Sequence, residues 1–358
     1  MHTRLIIAIA LMLALPLKAT SDEPYTPRIP LGLDGSVYLE QIPTHNPLTR
    51  SKVALGRYLF FDKRLSKDGT VACGTCHQPR SAFTDGQALP TGIGGQKGQR
   101  NAPTILNRVY GKTHFYDGRA ASLEDQALLP IQSPSELGNT LENVVATLSA
   151  VPGYRTRFKQ AFGTEAITPD RIARAIAAFE RSLITGESPF DLFEYGGPEG
   201  SMSEAAIRGL TVFRGKKTRC PLCHTGFNYT DEDFHNIGLG WDKADLTLYE
   251  KTKNPDDIKH IDPGRYALTK DPNHFGAIKT PTLREVARTA PYMHNGSVKT
   301  LEEIVDFYNK GGVPNPFLDE KIKPLNLTDA EKEDLVAFLR ALSGTNWLQI
   351  EPPLRFPK

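Results

Sequence analysis

Cys73-Gly74-Thr75-Cys76-His77 and Cys220-Pro221-Leu222-Cys223-His224 are the two stretches around which this chain organises itself. Both read C-x-x-C-H, the attachment pattern of a c-type haem. The chemistry sets the spacing: two thiols about a turn apart add to the two vinyl groups of one porphyrin, and the adjoining His turns back to bind the iron. The chain has four cysteines, and all four fall inside these motifs. Disulfides are the default for cysteines in an oxidising compartment, but they leave both histidines unexplained. A zinc site is weaker still, because neither pair has a second C-x-x-C nearby to complete four ligands. Two covalent c-type haems are therefore the expected cofactors.

Working outward, the two halves look alike. Ala54–Phe61 is an apolar, helix-like run leading into the first motif, and Ala206–Phe213 leads into the second in the same way. We expect a duplication: a mostly α protein of two cytochrome c-like domains, with long loops and few short strands. The boundary falls in Gly186–Ser201, rich in Gly, Pro and acidic residues, giving domains over 20–185 and 186–358. Ile172, Ile176, Phe179 and Leu183 share one face of a helix over Asp170–Leu183, with Asp170 as its cap. Thr300-Leu301-Glu302-Glu303 and Thr328-Asp329-Ala330-Glu331 are capping boxes that open two more helices, the second running through Leu342. The polar loops Gln87–Arg100 and Trp241–Phe275 are expected to wrap cofactors rather than form a third domain.

Composition agrees with an ordinary globular protein: 358 residues, 39% hydrophobic, 23% charged, formal charge +2. No basic stripe points to nucleic acid. Arg4, the apolar run Leu5–Leu17 and Lys18-Ala19 read as a secretory signal over residues 1–19. The apolar run is shorter than the ~20 residues needed to span a bilayer. Cleavage removes Arg4 and Lys18, so the mature chain carries no stable membrane segment and balances its charges. The expected location is the periplasm.

Each haem already has one His, and the other axial position decides between electron transfer and catalysis. A second protein ligand makes a closed carrier; an open position binds peroxide. His45, His114, His235, His260, His274, His294, Met202, Met293 and any inward Tyr are the candidates.

With both motifs, Arg100-Asn101-Ala102-Pro103-Thr104, Phe115-Tyr116-Asp117-Gly118-Arg119 and Ala290-Pro291-Tyr292-Met293-His294-Asn295-Gly296, the chain resembles the bacterial di-haem cytochrome c peroxidase and MauG family. The resemblance covers nearly all of the mature chain. It implies that the first haem is the peroxide site and the second an electron store. Ordinary members carry a His about sixteen residues after the first motif that blocks the peroxide haem until reduction. Here Gln78–Thr113 contains no His, which implies an open haem, as in the MauG branch. Ordinary members also place a Met on the second haem. Tyr308 falls at that position, and Leu301, Ile304, Val305 and Tyr308 form one helical stripe that points Tyr308 inward.

The resemblance further implies Glu136 as the distal acid–base group, Gln126 as a second distal polar residue and Pro130 as a pocket wall. It implies one Ca²⁺ between the haems, held by the Asn101 side chain and the carbonyls of Thr289 and Pro291. Tyr116 stands where the family usually has an inter-haem Trp. Lys216-Lys217-Thr218-Arg219 replaces a surface Trp of the MauG branch. The expected function is a peroxide-dependent oxidoreductase acting on hydrogen peroxide and a periplasmic protein substrate. The alternatives are an ordinary peroxidase fed by a small c-type cytochrome and a non-catalytic di-haem carrier.

Overall fold

A computed structural model describes residues 22–358; the leader expected over 1–19 lies outside the described residues. The first half carries α1 (Gly35–Glu40), α2 (Arg50–Phe61), α3 (Cys73–Cys76), α4 (Leu123–Gln132), α5 (Leu141–Ser149), α6 (Pro152–Phe162) and α7 (Pro169–Arg181). The second carries α8 (Pro189–Glu194), α9 (Glu204–Arg214), α10 (Lys243–Thr252), α11 (Tyr266–Thr269), α12 (Leu301–Asn309) and α13 (Asp329–Arg340). Among the described residues the only sheet is a two-stranded antiparallel pair, β1 (Phe234–His235) and β2 (Ile278–Lys279), with Phe234 opposite Lys279. The chain is thus mostly helical with few short strands, as expected. No helix among the described residues is long and apolar enough to cross a membrane.

Each half is built on one close helix crossing. A Cβ on Gly56 of α2 would lie 1.9 Å from the Ala175 carbonyl of α7, and one on Gly209 of α9 would lie 1.8 Å from the Asp334 carbonyl of α13. A phenylalanine one turn further along, Phe179 or Phe338, closes each crossing. Around the first crossing pack Leu59, Phe60, Phe83, Phe158 and Ile176. Around the second pack Leu210, Phe213, Tyr229, Val305 and Leu339. The chain end returns to the first half: Trp347 belongs to its core, Ile350 and Phe356 pack against it, and Gly153 N–H donates to the Lys358 carbonyl.

The repeat extends beyond the crossings. His114 bridges Ala120 as Tyr292 bridges Val298. Phe115 and Met293 both have positive φ, as do Gly118 and Gly296 within the same two loops. Ser122 then caps α4 and Thr300 caps α12.

One expectation needs correction, and two segments hold more structure than their composition announced. The cap of α7 is Thr168, whose hydroxyl accepts from Arg171 N–H; Asp170 lies in the first turn, where it favours the helix dipole instead. Gly186–Ser201 is not plain linker, because Ser188 and Asp191 form a capping box that opens α8 and sends Phe190 into the second core. Trp241–Phe275 builds its own small core from Trp241, Ile258, Ile261, Tyr266 and Phe275, since its scattered apolar residues are enough to fold α10 and α11 onto one another. The capping boxes at Thr300 and Thr328 are formed as expected, although α13 stops at Arg340.

Candidate haem-binding site

Both C-x-x-C-H motifs fold into one tight turn. His77 N–H donates to the Cys73 carbonyl at 3.0 Å, and His224 N–H to the Cys220 carbonyl at 2.9 Å. The His77 Nδ1 lies 3.0 Å from the Phe83 carbonyl, and the His224 Nδ1 lies 3.0 Å from the Tyr229 carbonyl. A carbonyl can only accept, so each ring carries its proton on Nδ1 and leaves Nε2 with a free lone pair. This is the outer-shell arrangement that orients a metal-binding imidazole. The four cysteines are free thiols. Two free thiols beside one imidazole whose Nε2 has no protein partner, present twice, are a donor set that fits two c-type haems.

Glu136 follows α4 and is half-buried. Its carbonyl accepts from Ile93 N–H at 2.8 Å, and Gly92 packs so close that a Cβ there would lie 2.2 Å from the Ser135 carbonyl. The Gln87–Arg100 loop therefore wraps the Glu136 segment. Burial raises the Glu136 carboxyl above its ordinary value, against the opposing pull of Ser133 and Arg119. Burial also raises both thiols of the first motif, Cys76 to about 12, and the Glu136 charge adds to that rise at both. The Glu136 charge is thus close enough to the first motif to act on both of its thiols. Gln126 and Pro130, one turn apart on α4, share a face.

Tyr308 sits in the last turn of α12. Leu301 and Val305 are buried in the second core, and Ile304 and Tyr308 pack against it, so the expected stripe is present. Burial pushes the Tyr308 phenol up, and the thiols of Cys223 and Cys220 push it further. The phenol is therefore close enough to the second motif for both of its thiols to act on it. Ser122 and Thr300 are equivalent caps, and eight residues beyond them stand Pro130 and Tyr308.

Tyr116 is half-buried between the halves, edge-to-face with His294 at 6.4 Å between ring centroids. Its phenol is raised by burial and drawn down by Arg100. Arg100 pairs with Asp262 at 2.7 Å and with Asp117 at 2.7 Å, joining both halves around Tyr116. Asn101 N–H donates to the His294 carbonyl at 2.6 Å, which brings Asn101 beside the segment carrying Thr289 and Pro291. The Asn101 Nδ2 donates to the Gln87 carbonyl, leaving Oδ1 as a free hard-oxygen donor.

Several candidates for the second axial position have other partners. His114 is buried and pushed down to about 2, by burial first and then by Arg108 and Lys279. Met202 is buried in the second core. His235 is gripped by Asp319 at 2.6 Å and Asp231 at 2.9 Å. Burial opposes its charge, but Cys223, Asp319 and Asp231 outweigh that and raise it to about 10. His235 and Asp231, with Cys223, form a cluster that sequence reading missed; Asp319 is remote in sequence, and no spacing announces the contact.

The profile of the di-haem cytochrome c peroxidase family matches residues 50–199. Methylamine utilization protein MauG of Methylorubrum extorquens is 41% identical over 303 residues, spanning 84% of this chain and 81% of that protein. Cytochrome-c peroxidase IdrP1 of Denitromonas iodatirespirans is 38% identical over 365 residues, spanning 98% and 95%. Among solved structures, a MauG-like protein associated with microbial copper homeostasis matches with TM-score 0.79 and 34% identity, covering 88% of this chain and 96% of that one. The diheme peroxidase BthA of Burkholderia thailandensis matches with TM-score 0.69 and 26% identity, covering 86% and 90%. Two haem-ready motifs on a duplicated helical frame, with relatives aligned along most of their length, mean that the chain belongs to the di-haem cytochrome c peroxidase family.

Proposed function

We propose that this protein reduces hydrogen peroxide at an open haem held by Cys73, Cys76 and His77, and oxidises an external periplasmic protein through a second haem held by Cys220, Cys223 and His224. Tyr308 would hold that second haem together with His224. The observation that carries this reading is the internal repeat: at equivalent positions of α4 and α12, one half offers Pro130, which has no donor atom, and the other offers the Tyr308 phenol. The absence of His from 78–113 supports the open site.

When bound, the two haems supply the iron chemistry that takes up oxidising equivalents from peroxide and shares them. Glu136 accepts the proton of the near peroxide oxygen and delivers it to the far one, as heterolysis requires. Gln126 lines the same pocket and orients peroxide by hydrogen bonding. A phenolate at Tyr308 favours oxidised iron more than a thioether does. Asn101, Thr289 and Pro291 offer oxygen donors to one Ca²⁺, with water completing the 6–8 ligands it needs. Tyr116 lies on the route between the haems. The runner-up, an ordinary peroxidase fed by a small c-type cytochrome, is favoured by the end-to-end match to IdrP1.

Electron paramagnetic resonance of the resting ferric holoprotein tests the reading. We expect one high-spin five-coordinate haem and one low-spin haem without prior reduction. Tyr308→Phe should alter the low-spin signal alone, and Tyr308→Met should raise the potential of that haem. Two low-spin signals, with no peroxide reaction until reduction, would overturn the open site. An unchanged low-spin signal in Tyr308→Phe would remove Tyr308 from the iron and hand precedence to the ordinary peroxidase.

A further inference from the structure

Trp347 comes from the end of the chain but lies fully buried in the core of the first half. Its ring packs against Phe83 at 6.3 Å between centroids, and the Phe83 carbonyl is the partner of the His77 Nδ1. One residue therefore separates this indole from the iron-binding imidazole. The Trp347 Nε1–H is buried and has no hydrogen-bond partner, although a buried indole N–H usually finds one.

Across from it stands Glu285, which is 0% exposed. One carboxylate oxygen accepts from the Thr185 hydroxyl at 2.6 Å and from Gly344 N–H at 2.6 Å. The other, Oε2, is buried without a hydrogen bond and faces the Arg288 Nε at 3.6 Å as a longer ion pair. Burial raises the Glu285 carboxyl, and Thr185, Gly344, the Trp347 indole and the Arg288 charge draw it back down. The indole thus faces the carboxylate without closing an ideal bond. The Arg288 guanidinium sits 5.8 Å from the Trp347 ring centroid.

Folding alone does not ask for a glutamate here. Glu285 adopts left-handed backbone, φ 62°, and the equivalent place in the first half holds Asn107 at φ 60°. Asn tolerates that conformation far better than Glu does. Asn107 also satisfies its own side chain, giving to the Thr185 carbonyl and accepting from Thr185 N–H. A buried Glu with one oxygen that lacks a hydrogen bond, held in a costly backbone beside an orphan indole, is the kind of feature that clusters at functional sites.

We propose that Trp347 is a one-electron relay for the first haem and that Glu285 is its proton acceptor; the proposal rests on the peroxide reading above. After peroxide has been reduced there, the indole of Trp347 gives one electron to the oxidised haem. Its Nε1–H bond breaks, and the proton passes to Oε2 of Glu285, the carboxylate oxygen that has no hydrogen bond. The Arg288 charge over the ring disfavours a cationic indole, so the proton leaves with the electron. An electron from the external substrate later returns to the indolyl radical, and Glu285 gives the proton back.

The test is freeze-quench electron paramagnetic resonance of the holoprotein after mixing with hydrogen peroxide, with and without ring-deuterated tryptophan. The chain has two tryptophans, and the other, Trp241, packs among Tyr249, Phe275 and Phe317 instead. We expect an organic radical whose splitting collapses on deuteration, is lost in Trp347→Phe and is kept in Trp241→Phe. Resting haem spectra confirm that each variant is folded and loaded. In Glu285→Gln an exchangeable Nε1 proton coupling should appear, because the proton has nowhere to go. A haem that responds to peroxide without any indole radical, or a radical that survives Trp347→Phe, overturns the relay while leaving the peroxide reading intact. An unchanged coupling in Glu285→Gln overturns the acceptor. No haem response to peroxide overturns both the peroxide reading and the relay.

Discussion

Glu136, the proton carrier of the proposed reaction, is a loop carboxylate whose setting favours that role. Packing of the Gln87–Arg100 loop against its backbone buries it, and burial raises its proton affinity. In the proposed role, the charged form is the one that would accept the peroxide proton. The rate constant for the Soret change on adding peroxide should therefore fall as pH drops through the raised Glu136 pKa, a window above the ordinary carboxylate value of 4.5. Glu136→Gln should lower that rate constant ~10²–10⁴-fold and abolish the acid limb, as expected for loss of a general acid–base group. Stopped-flow spectra across pH check it; an unchanged rate moves the role to Gln126 or solvent.

Two helix crossings carry the duplicated frame, and each depends on one glycine. Gly→Ala in a helix interior gains about 1 kcal/mol by propensity. At Gly56 and Gly209 that gain competes with a methyl group inside 2 Å of a partner backbone carbonyl. Backbone cannot swing aside as a side chain can, so the helices must separate and the clash wins. Gly56→Ala and Gly209→Ala should each destabilise the protein by ~1–3 kcal/mol, the range for overpacked cores. Denaturant unfolding followed at each haem's own absorption should show Gly56→Ala acting first on the His77 half and Gly209→Ala on the His224 half. Stabilisation by either variant would mean that the crossing is looser than it stands here.

The assembly of the halves rests on buried charge as well as on apolar contact. Arg284 and Asp191 pair at 2.8 Å with side chains 2% and 0% exposed, and Arg284 also donates to the Gly32 carbonyl. One guanidinium thus ties the N-terminal segment, α8 and the second half together. Arg284→Met leaves the Asp191 carboxylate buried without its partner and should cost ~3–5 kcal/mol, the usual penalty for breaking one side of a buried pair. Adding Asp191→Asn should restore most of that loss, because the uncompensated charge is gone. Denaturant midpoints of the two variants check this; equal losses would show that packing, not charge, holds the contact.

The haem motifs, the duplication, the capped helices at Thr300 and Thr328 and the stripe ending in Tyr308 were all legible in the chain, because each is written in local spacing. A C-x-x-C-H needs five adjacent residues, a capping box four, and a helical stripe a repeat within eight. What only tertiary structure decided is what meets across long separations. The Phe83 and Tyr229 carbonyls that orient the two imidazoles arrive by loop closure. The Arg100–Asp262 and Arg284–Asp191 pairs join residues with no common pattern, and the grip of Asp231 and Asp319 on His235 is equally unannounced. The return of Trp347 from the second half's end to the first half's core is set by which apolar surface is left uncovered once both crossings have formed. Local chemistry is encoded in neighbouring residues, whereas burial and its effects on charge exist only after distant segments have displaced water together.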